Sequence, residues 1–329
     1  MSQPLALAPV VTATPVARVA PRAGFWTRAG RVGFDLLVLT KYRITLVALF
    51  TGYAAIVVQG GHVSDWRVVV PCLVALFATG GCANTLNQLF ELKRDSLMNR
   101  TRSRRPLPAG RITPMQAIWF AVLQFILAQV LLVVCCHSLL AAALSAATVL
   151  YYSFFYTLYL KPRHYLNIVI GGVLGAMGPL IGWAAVTHHL GAAPIAMFML
   201  IFLWTPPHVW ALAIKLKDDY ARAGIPMLPV VKGVDETTRQ IVIYTLILVA
   251  ATLALPSAIG IFGPAFQHSP LYLTLSLTLG AVFIVWSVIL WRRRPMLPTM
   301  PLFRFSIIYI AALFVGLMID AVRSHGGGS

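Results

Sequence analysis

The chain has 329 residues, of which 59% are hydrophobic and only 11% charged, and its formal net charge is +17. A soluble domain carries about 25% charged residues, so this composition excludes an ordinary water-soluble globule and calls for the bilayer as solvent. The basic excess alone admits nucleic acid, anionic lipid headgroups or an anionic small substrate, and the placement of the charges separates these.

Residues 1–24 are rich in Ala, Pro and Val, carry Arg18 and Arg22, and lack the long apolar centre of a secretory signal. They read as a disordered cytoplasmic arm, within an N-terminal region that reaches residue 35. Beyond it, a hydrocarbon core about 30 Å thick needs about 20 apolar residues per helix. Such runs occur near 36–60, 68–91, 114–136, 138–159, 166–187, 194–216, 240–263, 271–291 and 302–322. The expected fold is all-α: one polytopic membrane bundle of nine helices over 36–322, with a short tail at 323–329.

With the N-terminus inside, the cytoplasmic segments are 1–35, 92–113, 160–165, 217–239 and 292–301, and of the 26 Lys and Arg only Arg67 and Arg323 fall outside. The positive-inside rule therefore accounts for the basic excess and orients the chain in a cell inner membrane. It also removes nucleic acid as a partner, since groove or stacking modules need soluble surface. Cys72, Cys82, Cys135 and Cys136 lie in or beside apolar runs with no CxxC spacing, so they read as small apolar side chains rather than as a zinc or redox motif.

In chain order, Lys41 and Arg43 open the first span at the membrane's inner edge, where they either reach an internal cavity or snorkel to the headgroups. The second span ends in Asn84, Asn87, Glu91 and Asp95. Successive i, i+4, i+8 offsets turn by only about 40° and 80°, so Asn87, Glu91 and Asp95 share a helix face, with Asn84 on the same side. An ionisable group in a membrane helix costs about 2.5–3.5 kcal/mol even on the mild insertion scale, which asks for a reason. Oxygen ligands suit a hard cation such as Mg²⁺, held by one or two carboxylates plus substrate phosphates; a solvated helix end is the bland alternative. Residues 100–111 then carry five arginines, Arg100 and Arg105 among them. Guanidinium forks match phosphate oxygens, although topology alone would also place arginines here.

Lys161 and Arg163 lie on the inner face between the fourth and fifth spans, and Gly171, Gly172, Gly175, Gly178 and Gly182 stripe the fifth. Small residues allow close helix packing, or leave room for a flat acceptor. The sixth span carries Pro206-Pro207, expected to kink or restart the helix, then His208, Lys215, Asp218, Asp219 and Tyr220. His208 and Asp219 are eleven residues apart and would share a face of one helix. His208 reads either as a helix–helix hydrogen bond or as a group near the acceptor. Asp218 and Asp219 would bind a second Mg²⁺ or complete the first site. The acid-rich ends of the second and sixth spans suggest a weak internal repeat whose two tips meet at one cytoplasmic-side cavity.

These residues resemble the intramembrane (UbiA-type) prenyltransferase superfamily, and within it the haem-farnesylating branch. The resemblance runs over roughly 36–320 and rests on Asn87 to Glu91 and Asp95, Met98 to Thr101, Arg105 to Leu107, Tyr156-Thr157 with Leu160-Lys161, Ile170 to Gly172, Gly182-Trp183, Trp204, Pro207-His208, Asp219-Tyr220 and Ala223 to Pro229. It departs from the family pattern at Tyr42, Gly178, Thr205 and Val209, none of which is a metal-ligand position. It implies transfer of farnesyl from farnesyl diphosphate to a vinyl group of haem B, giving haem O and diphosphate with Mg²⁺ assistance. Haem is then substrate, the active site faces the cytoplasm, and downstream haem-modifying or terminal-oxidase assembly proteins are candidate partners. Asn87, Glu91, Asp95 and Asp219 are the implied catalytic set, the first three at the family's metal positions. Substrate contacts are expected from Lys41, Arg43, Asn84, Arg100, Arg105, Lys161, His208, Lys215 and Tyr220. A quinone-pathway aromatic prenyltransferase of the same fold is the nearest alternative. A transporter is disfavoured, because the acids lie at helix ends rather than at mid-bilayer.

Overall fold

The computed structural model describes residues 25–60, 65–258, 270–293 and 298–326. The expected disordered arm over 1–24, and residues 327–329 of the tail, lie outside these. The described elements are α1 (Phe25–Leu39), α2 (Tyr42–Gln59), α3 (Trp66–Phe90), α4 (Leu92–Leu97), α5 (Pro114–Val130), α6 (Leu139–Leu150), α7 (Asn167–Thr187) and α8 (Ala192–Lys215). They continue with α9 (Lys217–Arg222), α10 (Leu228–Val231), α11 (Gly233–Ala258), α12 (Pro270–Arg292) and α13 (Met300–Gly326). Two π-helical segments, Leu131–Cys135 and Tyr151–Leu160, extend α5 and α6. No strand occurs among the described residues, and nine helices there are long and apolar enough to cross a membrane. Backbone polar groups in hydrocarbon must be satisfied within the segment, and helices do this.

Local chemistry sets the helix ends. Pro114 opens α5 behind a capping box in which the Thr113 hydroxyl accepts from Gln116 N and the Gln116 side chain accepts from Thr113 N. The tight connection between the third and fourth spans turns on His137, whose φ is 51°. Ser138 then accepts from Ala141 N at 3.2 Å and donates to Ala184 O at 2.6 Å, capping α6 and tying it to α7.

Four boundaries differ from the sequence reading. The run 36–60 is two helices, because Lys41 adopts a left-handed conformation (φ 48°, ψ 46°). Side chains from α3 and α2 satisfy the carbonyls this break frees: Gln88 Nε2 donates to Val38 O and Leu39 O, while Asn84 Nδ2 and Thr45 Oγ1 donate to Thr40 O. Residues 25–35, read as the end of the arm, belong to α1. The seventh span begins at Gly233 rather than 240, with Asp235 and Glu236 in its first turn, where the helix dipole favours acids. Finally, α8 runs unbroken through Pro206 and Pro207.

Two large apolar clusters dominate the core, beside two small ones around Leu39 and Cys82. One gathers Trp210, Tyr272, Phe283, Tyr309 and Phe314 between α8, α11, α12 and α13. The other gathers Ile56, Leu76, Leu132 and Ile181 between α2, α3, α5 with its π extension, and α7. The glycine stripe of α7 serves close packing in part: a Cβ on Gly178 would stand 2.6 Å from Ala48 O, and one on Gly182 would overlap Gly52 O of α2. Gly175 differs, since Thr205 Oγ1, 4.0 Å away, is the nearest atom a Cβ there would meet.

Candidate active site

The two acid-rich motifs share one local design. Each long helix breaks at a single residue, Glu91 after α3 (φ −90°, ψ 3°) and Leu216 after α8 (φ −102°, ψ 17°), and resumes as a six-residue helix. This matches the expected internal repeat in form. At the first break the bonds Glu91 N to Asn87 O (3.0 Å) and Asp95 N to Glu91 O (2.8 Å) preserve the helical offset. Asn87, Glu91 and Asp95 therefore stay on one side, with 0%, 2% and 3% exposure.

Two carboxylates buried that deeply require partners, and three elements supply them. The Lys41 ammonium, presented by the α1–α2 break, donates to Asn87 Oδ1 at 2.6 Å. Lys161, at the end of the second π-helical segment, pairs with Glu91. Arg105, from the arginine-rich loop, pairs with Asp95 and lies 3.9 Å from Glu91. Thr157 accepts from Asn87 Nδ2 at 3.1 Å, while its own hydroxyl donates to Tyr152 O, five residues back. Burial pushes the Glu91 carboxyl up, but Lys161, Lys41 and Arg105 together outweigh it and hold it below its ordinary range. Burial, with repulsion from Arg105 and Lys161, lowers Lys41 well below the usual lysine range against the pull of Glu91 and Asp95.

At the second motif, Asp219 is buried and accepts the backbone N–H groups of Asn99 and Arg100, both at 3.3 Å, while Arg222 pairs with its carboxylate. Burial alone would raise this carboxyl, but the Arg100 N–H, the Arg222 side chain and the Asn99 N–H lower it. The tip of the sixth span thus grips the loop that follows the tip of the second. Arg111 fixes the far end of that loop, pairing with Asp35 on α1 at 3.0 Å and donating to Ser103 O and Arg104 O.

The remaining expected residues are distributed. Arg43, Arg100, Lys215 and Asp218 have exposed side chains, with Arg43 Nε donating to Tyr42 Oη at 3.3 Å. Asn84 is engaged by Thr40 O and Thr45 and so holds the Lys41 break. Tyr220 packs half-buried against the larger apolar cluster. His208 lies on α8 and Asp219 on α9; Leu216 N to Leu212 O and Tyr220 N to Leu216 O, both 3.1 Å, bridge the break between them, but the two side chains take different partners. His208 lies stacked between Trp204 (4.1 Å) and Phe303 (4.4 Å), its Nδ1 2.7 Å from Ser306 Oγ, linking α8 to α13. Sequence reasoning missed Arg222 and Asp35, which lack a motif of their own, and it quoted Gln88, Arg111 and Thr157 within motifs without giving each an individual role.

Among the described residues no three His, Cys, Asp or Glu side chains cluster as a self-sufficient metal site. The trio instead offers two carboxylates and one amide oxygen, and the buried Glu91 Oε1 is engaged by Lys161 alone. Such a partial, hard oxygen set fits a divalent ion that brings phosphate oxygens with it.

The UbiA prenyltransferase family matches residues 48–315. A protoheme IX farnesyltransferase of Symbiobacterium thermophilum is 42% identical over 303 residues, covering 90% of this chain and 97% of that one. Protoheme IX farnesyltransferase 1 of Pseudomonas putida strain W619 is 40% identical over 293 residues, covering 89% and 96%. Among solved structures, a digeranylgeranylglyceryl phosphate synthase superposes with a TM-score of 0.69 at 18% identity, covering 88% of this chain and 98% of that one. A UbiA homologue from Archaeoglobus fulgidus bound to DMAPP and Mg²⁺ does so with 0.60 at 14%, covering 86% and 99%. Helix architecture, buried trio and likeness over nine-tenths of the chain converge: the chain belongs to the UbiA prenyltransferase family and, within it, to the protohaem IX farnesyltransferases.

Proposed function

We propose that this enzyme transfers the farnesyl group of farnesyl diphosphate to the vinyl group of protohaem IX, giving haem O and diphosphate. The observation that carries the reaction class is the buried Asn87–Glu91–Asp95 trio ringed by Lys41, Lys161 and Arg105. The acceptor is taken from the relatives of about 40% identity, whose names specify protohaem.

Asn87, Glu91 and Asp95 would hold Mg²⁺; at the second motif the exposed Asp218 is free to add a ligand, whereas Asp219 would have to release Arg222 and the loop N–H groups to do so. A magnesium ion there supplies Lewis-acid neutralisation of the leaving diphosphate. Arg105, Lys161 and Lys41 would bind the same diphosphate and stabilise charge as the C–O bond breaks. Asp219 orders the loop carrying Arg100 and Arg105. An apolar surround would suit the isoprenoid tail and keep water from the allylic cation until the vinyl group adds; a water molecule then adds to the cation left on the former vinyl carbon, supplying the hydroxyl of haem O and releasing a proton. We place the site on the cytoplasmic face of the inner membrane, where the positive-inside rule puts residues 92–113 and 217–239. Haem-modifying or oxidase-assembly proteins would receive the product.

Incubating the purified enzyme with haem B, farnesyl diphosphate and Mg²⁺ tests this. The expected product is haem with the mass of one hydroxyfarnesyl group added. Prenylation of an aromatic quinone precursor with haem B untouched would select the alternative acceptor.

A further inference from the structure

Each of the three candidate metal ligands already carries a basic group of the protein itself. Lys41 sits on the Asn87 amide oxygen, Lys161 on Glu91, and Arg105 on Asp95. Asn87 is uncharged, so charge pairing alone does not call a lysine to it. A lysine at a membrane edge normally snorkels outward, yet Lys41 turns inward from a left-handed backbone whose freed carbonyls are held by Gln88, Asn84 and Thr45. The inward lysine is therefore fixed by the surrounding helices.

We propose that Lys41, Lys161 and Arg105 latch the site, so that a divalent cation is admitted only together with a diphosphate. This rests on the metal–diphosphate reading above. A metal arriving alone must displace three half-buried basic groups and leave them beside an added double charge, which a site of reduced dielectric resists. A diphosphate changes this, because its anionic oxygens accept the basic groups as these release Asn87, Glu91 and Asp95. Metal and diphosphate then bind cooperatively, each tightening the other by the same factor.

Equilibrium dialysis of Mn²⁺ against the purified full chain in detergent, with and without inorganic diphosphate, tests the latch. Wild type is expected to bind Mn²⁺ at least about tenfold tighter when diphosphate is present, within the usual range of coupling between sites. Lys41→Met should tighten binding of Mn²⁺ alone several-fold and shrink the diphosphate effect. Lys161→Met should do the same by freeing Glu91, and it decides the matter if Lys41→Met fails to fold. Equal Mn²⁺ affinity in wild type with and without diphosphate overturns the latch, as does a folded lysine variant that binds Mn²⁺ alone no tighter than wild type. Undiminished Mn²⁺ binding in Glu91→Gln/Asp95→Asn with diphosphate present would instead overturn the metal site itself.

Discussion

The Asp219 carboxylate accepts the backbone N–H of Arg100 at 3.3 Å, joining residues 119 positions apart in the chain. Through this bond and its neighbour from Asn99, the tip of the sixth span orders the loop after the second. Hydrogen bonds to a charged acceptor contribute about 1.5–3 kcal/mol. Asp219→Ala should therefore raise amide exchange at residues 99–105 at least tenfold while exchange in α3 and α8 stays unchanged. Unchanged exchange in the loop would mean the clamp is not formed in solution.

The clamp carries a pH signature. The folded Asp219 carboxyl lies below its ordinary range, so its stabilisation is fully present above the ordinary Asp value of about 3.9 and is lost as pH falls through the lowered folded value. At neutral pH the loop should be closed. Exchange at Asn99 and Arg100, normalised to intrinsic rates, should rise only in strong acid. Opening near pH 6 would point to a different group.

Glu91→Gln and Asp95→Asn keep size and burial but remove the charge that balances Lys161 and Arg105. Turnover should fall by about 10²–10³-fold or more, the scale for losing a preorganised electrostatic group, with normal membrane insertion. Either variant at wild-type activity would count against the metal assignment.

Gly178 has no space for a side chain, since its Cβ position faces the Ala48 carbonyl at 2.6 Å. Backbone cannot rotate away, so Gly178→Val should destabilise by about 1–3 kcal/mol, read as a lower thermal midpoint in detergent. Gly175→Ala, with nothing nearer than 4.0 Å, should leave the midpoint within error.

Of the two roles the sequence left open for His208, the stack between Trp204 and Phe303 supports helix–helix packing. His208→Phe keeps the stack and loses the Ser306 bond, costing about 1 kcal/mol, and should retain turnover within a few-fold. A folded His208→Phe enzyme without activity would move His208 to the acceptor.

Period and composition made the spans legible, because hydrocarbon thickness imposes one length on every crossing helix. The Asn87–Glu91–Asp95 face was legible for a similar reason: the i, i+4 offset survives the break at Glu91 through the Asp95–Glu91 backbone bond. The break at Lys41 was not, since neither Gly nor Pro marks it and its cause lies on another helix, in Gln88 and Asn84. The His208–Asp219 pairing was not legible, because backbone bonds also span the break at Leu216 and what separates the two is their partners: His208 packs on Trp204, Phe303 and Ser306, while Asp219 holds Asn99 and Arg100. Pro206 and Pro207 do not restart the helix, since α8 continues through them.

The most direct measurement is the anomalous signal of Mn²⁺ in crystals grown with a non-reactive farnesyl diphosphate analogue. A peak bounded by Asn87, Glu91 and Asp95, with the analogue's phosphates against Lys161 and Arg105, is the expected result. A peak elsewhere, or bound analogue with no metal at the trio, would contradict it.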